Sequence, residues 1–193
     1  MARGNAIRAP TAAPIDQTVG VIDGAPGATI AVTATRGFAE GAPVSSHHGS
    51  AVASILQWAG VRRIVVADVY GTDPAGGNAL AMARGLHWLT GQNIRGVSVS
   101  LVGSNNPVIA RAISAAQRRG VLIIAAVGND GPAAPPAYPA SYPDVIAVTA
   151  VDERNRALIE AGRATHLDYA APGADLLALN AAGRWVKVRG TSY

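Results

Sequence analysis

The 193-residue chain has the length of one globular domain, and 49% of its residues are hydrophobic against 15% charged, which excludes an intrinsically disordered protein. Its net charge of +4 comes from scattered arginines, and its aromatic residues are only three Trp, five Tyr and one Phe. Because no basic run exceeds a pair of arginines, we expect no nucleic-acid partner.

Cysteine is absent, so neither a disulfide framework nor a thiolate metal site can form. No segment reaches the roughly 18 uninterrupted apolar residues that a membrane span requires, and we expect no span in this chain. Residues 1–10 include two arginines but no apolar core, so they do not predict a signal peptide.

Short apolar runs alternate with amphipathic segments along the chain, which is the pattern of βαβ units. The predicted strands are Thr18–Ile22, Arg63–Val69, Gly96–Leu101, Val121–Val127 and Val145–Val151. The predicted helices are Ser50–Trp58, Asn78–Thr90 and Pro107–Arg119, the last with Asn105 or Asn106 as its cap. We therefore expect an α/β fold with three layers, α/β/α, around a mostly parallel central sheet.

The residues beyond the third helix predict a loop and a hairpin. Gly131–Pro143 is rich in Pro and Gly, which favours an irregular loop. Asp175–Leu179 and Trp185–Val188 flank Asn180-Ala-Ala-Gly183, and this arrangement predicts a β-hairpin.

Three short segments carry the groups of a nucleophilic mechanism. They supply a carboxylate in Thr18-Val-Gly-Val-Ile-Asp23-Gly, an imidazole in Ser46-His47-His48-Gly and a hydroxyl in Gly190-Thr191-Ser192. A serine hydroxyl needs a base to remove its proton, and that base needs an acid partner to hold its tautomer. Asp23, Gly103 and Asn129 follow predicted parallel strands, where ligands bind in open α/β sheets.

The order Asp, His, Ser, with a Gly-Asn between the last two, resembles the subtilisin-like serine proteases, the subtilase family. The similarity runs from about Val19 to Tyr193. Further matching segments are His48-Gly-Ser-Ala-Val-Ala53, Ser100-Leu-Val-Gly103, Ala125-Ala-Val-Gly-Asn129, Tyr138-Pro139, Tyr142-Pro143 and Ala170-Ala-Pro-Gly173.

The resemblance implies a serine endopeptidase that hydrolyses polypeptides through an acyl-enzyme, with no cofactor and no metal. The implied catalytic triad is Asp23, His48 and Ser192, and Asn129 would donate its amide to the oxyanion. His48 directly precedes Gly49 and so matches the base of the family, whereas we expect the neighbouring His47 to lie in a loop.

The resemblance also implies where a substrate binds. The expected substrate-binding residues are Ser100, Leu101, Val102, Gly103, Ala125, Ala126, Val127 and Ala137. Ala137 precedes Tyr138-Pro139 where the family has Gly, and Val102 replaces another common Gly, so both add bulk. Because the expected walls are apolar and lack a carboxylate, we expect Leu or Met before the cut and not Lys or Arg.

The chain departs from the family after the nucleophile. The family motif continues as Gly-Thr-Ser-x-Ala-x-Pro, whereas this chain ends at Tyr193. We therefore expect residues 18–193 to be a subtilase-like catalytic domain that is incomplete at its C-terminus, after an N-terminal extension over residues 1–17. The resemblance also implies a prosegment or missing C-terminal part as partner, and export to the periplasm or medium.

Two other functions remain open from the sequence. The chain could be an inactive fragment or pseudoprotease that only binds peptides along an edge strand, with Ser192 as a helix cap and Asn129 in a turn. It could instead be an α/β nucleotide binder, although Gly71–Gly77 lacks the Lys-Ser/Thr ending of a phosphate loop. Asp68 is interpreted as a carboxylate that caps a turn at a strand end.

Overall fold

The computed structural model describes residues 13–72 and 77–193. Residues 1–12 of the predicted extension and 73–76 of the Gly71–Gly77 segment lie outside the described residues. The elements in chain order are β1 Ile15–Asp23, β2 Ala34–Gly37, α1 His47–Trp58, β3 Val61–Asp68, α2 Ala79–Thr90, β4 Gly96–Val99, α3 Pro107–Gln117, β5 Leu122–Ala126, β6 Ile146–Val151, β7 Tyr169–Pro172, β8 Leu176–Leu179 and β9 Trp185–Val188.

Seven of these strands form one sheet in the order β2-β3-β1-β4-β5-β6-β7, and every neighbouring pair in it is parallel. The strands β8 and β9 form the predicted antiparallel hairpin. The expected α/β fold with a mostly parallel sheet is therefore confirmed. In the part of the chain that the structure describes, no helix is long and apolar enough to cross a membrane.

Apolar residues on both faces of the sheet hold the helices in place. The larger cluster joins the sheet to α2 and α3 and includes Ile22 of β1. A smaller cluster on the opposite face packs Val52 of α1 against Val21 of β1. Because successive strand residues point to opposite faces, β1 serves both clusters, as expected for a central parallel strand.

The ends of several elements differ from the prediction. β1 begins at Ile15 and so includes residues 15–17 of the predicted extension. β4 ends at Val99, because the following residues leave the sheet and Gly103 pairs with Tyr138 instead. The edge strands β2 and β7 are not predicted from the sequence, since neither contains a run of large apolar residues.

A side-chain cap sets the start of each of the three helices in the described residues. The expectation that His47 lies in a loop is wrong, because the Ser46 hydroxyl accepts the Gly49 N–H and α1 begins at His47. In α3 the cap is Asn106, whose Oδ1 accepts the N–H groups of Val108 at 2.9 Å and Ile109 at 3.4 Å.

Candidate active site

Asp23 and His48 meet at the carboxyl end of β1. Asp23 is the last residue of the strand and is fully buried. Its Oδ1 accepts the Gly24 N–H at 2.7 Å, and Nδ1 of His48 lies 2.8 Å from its Oδ2. With Nδ1 engaged by the carboxylate, the other ring nitrogen, Nε2, is left to exchange a proton.

Two glycines allow this contact between a strand end and the first turn of α1. A Cβ atom at Gly49 would lie 2.0 Å from the carbonyl oxygen of Gly24. A Cβ atom at Gly24 would lie 2.4 Å from Cβ of Ser46. Any larger residue at either position would push the helix away from β1, and the imidazole with it.

The environment of His48 favours its charged form. Burial alone would lower the pKa of His48, but the hydrogen bond from its ring to Asp23 and the negative charge of Asp23 outweigh burial. The pKa of His48 is therefore raised above its usual 6.5. The Asp23 carboxylate therefore stabilises the imidazolium that forms when His48 accepts a proton.

Asn129 lies beside the segment that carries Ser192. The side-chain oxygen of Asn129 accepts the Thr191 N–H at 3.0 Å, which leaves its Nδ2 group as a donor. Gly190 has φ +138°, and a Cβ atom there would lie 3.1 Å from Nδ2 of Asn129. Both the backbone conformation and the close contact therefore favour glycine at this position.

Ser192 lies beside the first residue after β4, and its neighbour Tyr193 contacts the ring of His48. The Ser100 hydroxyl donates to the Ser192 carbonyl oxygen at 3.1 Å. The ring of Tyr193 packs on the His48 ring, with 5.3 Å between centroids. Within the described residues no hydrogen bond joins the Ser192 hydroxyl to His48, and such bonds commonly tighten only when substrate binds.

The first predicted substrate segment, Ser100–Gly103, runs along the surface beyond β4. The N–H of Gly103 donates to the Tyr138 carbonyl at 2.8 Å, and the Tyr138 N–H donates back at 3.0 Å. Val102 is 45% exposed, and its Cγ1 lies 3.2 Å from where a Cβ atom at Gly128 would stand. Val102 therefore narrows the space between this segment and the one that leads to Asn129.

The residues of the second predicted wall, Ala125–Val127, face opposite sides of the sheet. Ala125 and Val127 belong to the core that faces α2 and α3, and each is 1% exposed. Their side chains therefore fill the core, and only their backbone can face a substrate. Ala126 points to the opposite face of the sheet because strand side chains alternate, and it borders a cavity of about 130 Å³ beside Ser192.

Ala137, the last predicted pocket residue, is half-buried, and its N–H donates to the Arg163 carbonyl oxygen at 2.7 Å. Leu101 and Val102 also border a second cavity, of about 220 Å³, together with Tyr138. The Ser100–Gly103 segment therefore has a cavity of side-chain size beside it.

Two tyrosines near the Asp23–His48 pair are not predicted from the sequence. Burial, together with the negative charge of Asp23, raises the pKa of Tyr70 to about 12. The same two causes raise the pKa of Tyr193. The rings lie far apart along the chain, and no spacing pattern in the sequence connects them to Asp23.

A second buried carboxylate, Asp68, pairs in register with Asp23 at the end of β3. It accepts the backbone N–H groups of Val44 at 2.7 Å, Tyr70 at 2.9 Å and Gly71 at 3.1 Å. Its predicted capping role is thus confirmed. Within residues 13–72 and 77–193, no cluster of three or more His, Asp or Glu side chains is arranged to hold a metal ion.

Known proteins share both the sequence pattern and the fold. The chain is 29% identical over 133 residues to the minor extracellular protease Epr of Bacillus subtilis, which covers 68% of this chain and 20% of that protein. It is 33% identical over 118 residues to subtilisin Savinase of Lederbergia lenta, which covers 60% of this chain and 43% of that protein. The chain therefore spans less than half the length of these relatives.

Solved structures give the same result. The prenylagaramide maturation protease PagA superposes with a TM-score of 0.78 at 25% identity, over 91% of this chain and 69% of that one. A cold-adapted subtilisin-like serine proteinase superposes with a TM-score of 0.78 at 21% identity, over 92% of this chain and 70% of that one, which shows the shared fold. The model of the subtilase family matches residues 18–193, and the chain belongs to the subtilase family.

Proposed function

We propose that this chain carries the catalytic site of a serine endopeptidase, with Asp23, His48 and Ser192 as its triad. The observation that carries the proposal is the bond between Nδ1 of His48 and the buried Asp23 carboxylate, at 2.8 Å. The ring of that histidine contacts Tyr193, the neighbour of Ser192. Family membership supports the same activity.

In the proposed reaction, the Ser192 hydroxyl attacks the carbonyl carbon of the peptide bond and passes its proton to Nε2 of His48. Asp23 holds the Nδ1–H and stabilises the imidazolium. Nδ2 of Asn129 and the Ser192 N–H donate to the oxyanion. Collapse of the intermediate releases the amine with the proton from His48. Water then attacks the acyl carbon and passes a proton to His48, which returns it to the Ser192 oxygen as the carboxylic acid leaves.

The substrate would bind as an extended strand along Ser100–Gly103, with backbone pairing for affinity and side-chain cavities for selectivity. The side chains of Val102 and Ala137 would limit the pocket for the residue before the cut, so that medium apolar residues fit best. A prosegment or a further C-terminal part as partner also belongs to what family membership implies. Export is also proposed, because the relative Epr is named an extracellular protease.

Labelling with a fluorophosphonate tests the proposal, because this reagent reacts only with a serine that a base has activated. We expect stable labelling of the chain, no labelling of Ser192→Ala and strongly reduced labelling of His48→Ala. Ser104→Ala, at an exposed serine near the same segment, is the matched control and should label normally. No labelling of the folded chain would favour the inactive peptide-binding alternative, and labelling that persists in Ser192→Ala would exclude Ser192 as the nucleophile.

A further inference from the structure

A groove separate from the active site lies between β2 and the second half of α2. Its volume is about 830 Å³, within the range of sites that hold ligands larger than single ions. The lining residues that matter here are Arg36, Phe38, Arg84, His87 and Trp88. None of the proposed catalytic or substrate-binding residues borders it.

Arg36 is held in place by two aromatic rings. Its guanidinium carbon lies 5.4 Å from the centre of the Phe38 ring and 6.0 Å from that of Trp88. The two rings contact each other at 5.6 Å. These cation–π contacts hold the guanidinium beside the two rings, and its N–H groups remain able to donate to a carboxylate.

The arginines of this groove form no ion pair with the described residues. No Asp or Glu occurs between Gly77 and Asn129 in the sequence. In residues 13–72 and 77–193, no carboxylate lies within ion-pair distance of Arg36 or Arg84. Both guanidinium groups therefore favour an anionic partner.

The free edge of β2 indicates whether the anionic partner is a peptide or a nucleic acid. β2 is the outermost strand, and among the described residues no other strand pairs with its outer edge. Unpaired backbone N–H and C=O groups of an edge strand bind a peptide backbone, not a nucleic acid. An extended peptide at this edge would bring its side chains beside Arg36 and the two rings.

We propose that this groove binds an extended, acidic segment of a partner protein. The segment adds a strand beside β2, places carboxylates on Arg36 and Arg84, and lays apolar side chains against Phe38 and Trp88. This surface is independent of the proposed catalysis, so its test does not depend on the triad.

The probe is a fluorescein-labelled peptide of alternating Glu and Val, measured by fluorescence anisotropy with the Ser192→Ala protein so that the peptide stays uncut. We expect saturable binding that weakens as salt is added. Arg36→Gln and Arg84→Gln should each weaken binding about tenfold, because each removes a charge-assisted contact. Arg111→Gln, which removes an equal charge from exposed α3 outside the groove, should change binding less than about twofold.

Three results would overturn the proposal. If a peptide of alternating Gln and Val bound equally well, the carboxylates of the peptide would contribute nothing to binding. Equal weakening by Arg111→Gln would show a diffuse electrostatic attraction in place of a site. Tighter binding of a thymidine oligonucleotide of the same charge would identify the wrong class of partner. Arg84 is exposed on α2, so Arg84→Gln tests the site even where Arg36→Gln disturbs the packing of Phe38 and Trp88.

Discussion

The backbone N–H of Thr191 donates to the side-chain oxygen of Asn129 at 3.0 Å, and this bond joins the loop after β5 to the segment that carries Ser192. It uses the acceptor end of the amide, so the donor end is the part available for catalysis. The side-chain oxygen of Asn129 therefore positions Thr191, whereas its Nδ2 group is the proposed donor to the oxyanion.

Asn129→Asp distinguishes these two contacts. The carboxylate keeps an acceptor for the Thr191 N–H but has no N–H to donate. We expect both Asn129→Asp and Asn129→Leu to lower kcat about 10²–10³-fold, with little change in KM, because the donor acts in the transition state. Steady-state kinetics on a peptide substrate check this. Normal kcat in Asn129→Asp would show that Asn129 only positions Thr191.

The triad should behave as a unit. We expect Ser192→Ala or His48→Ala to reduce turnover to near background, and the double variant to be little worse, because each residue acts only through the other. Peptide hydrolysis measures the effect. His47→Ala is the control, since its exposed ring contacts the Ala181 N–H at 3.3 Å and not Asp23. If His47→Ala abolished activity while His48→Ala did not, the assignment of the base would be wrong.

The raised pKa of His48 sets the pH dependence. The base must be neutral to accept a proton, so kcat/KM should rise from acid pH to a plateau, with a midpoint above the usual 6.5. The raised pKa also means that protonated His48 stabilises the fold below the unfolded pKa, and this contribution is lost as pH rises through the folded pKa.

Asp23→Asn tests whether Asp23 is the cause of the raised pKa of His48. Without the charge and the carboxylate bond that raise the pKa, desolvation remains, and the midpoint should move to lower pH. A pH–rate profile of both proteins gives the two midpoints. An activity optimum near pH 4 in the unmodified protein would point to paired carboxylates and exclude the serine mechanism.

Because the Val102 side chain lies close to Gly128, we predict that it limits which residue is accepted before the cut. Val102→Gly removes the side chain that narrows the proposed pocket, so cleavage after Phe should improve relative to cleavage after Leu by about 10–200-fold in kcat/KM. Profiling of a peptide library measures the ratio. Ala137→Gly should act in the same direction, and cleavage after Arg should stay weak in both variants. Strong cleavage after Arg would show that an acidic group reaches the pocket.

Asp68 should matter for stability and not for chemistry. Asp68→Ala leaves three backbone N–H groups without their acceptor, and we expect the free energy of unfolding to fall by about 2–4 kcal/mol. Asp16→Ala, at an exposed carboxylate 3.7 Å from Arg62, should cost less than about 1 kcal/mol. Urea unfolding of the two variants gives the comparison, and equal losses would contradict the role assigned to Asp68.

Local patterns determine the central strands and the start of α3. The last four residues of β1 are buried on both faces, so their apolar run predicts a strand without knowledge of its neighbours. The cap of α3 at Asn106 uses atoms within a few residues of one another, and Pro107 adds a second local signal. The order of the motifs around Asp23, His48 and Ser192 likewise identifies the family from the sequence alone.

Only the tertiary structure decides features that depend on residues far apart in the chain. The edge strand β2 has no large apolar run and exists because β3 supplies its hydrogen-bonding partners. Which of Ala125, Ala126 and Val127 faces the core depends on the register of β5 in the sheet. The approach of Val102 to Gly128 and the cation–π contact of Arg36 with Trp88 join segments that share no local pattern. A sequence records spacing along the chain, whereas these contacts depend on distances that appear only when the layers pack.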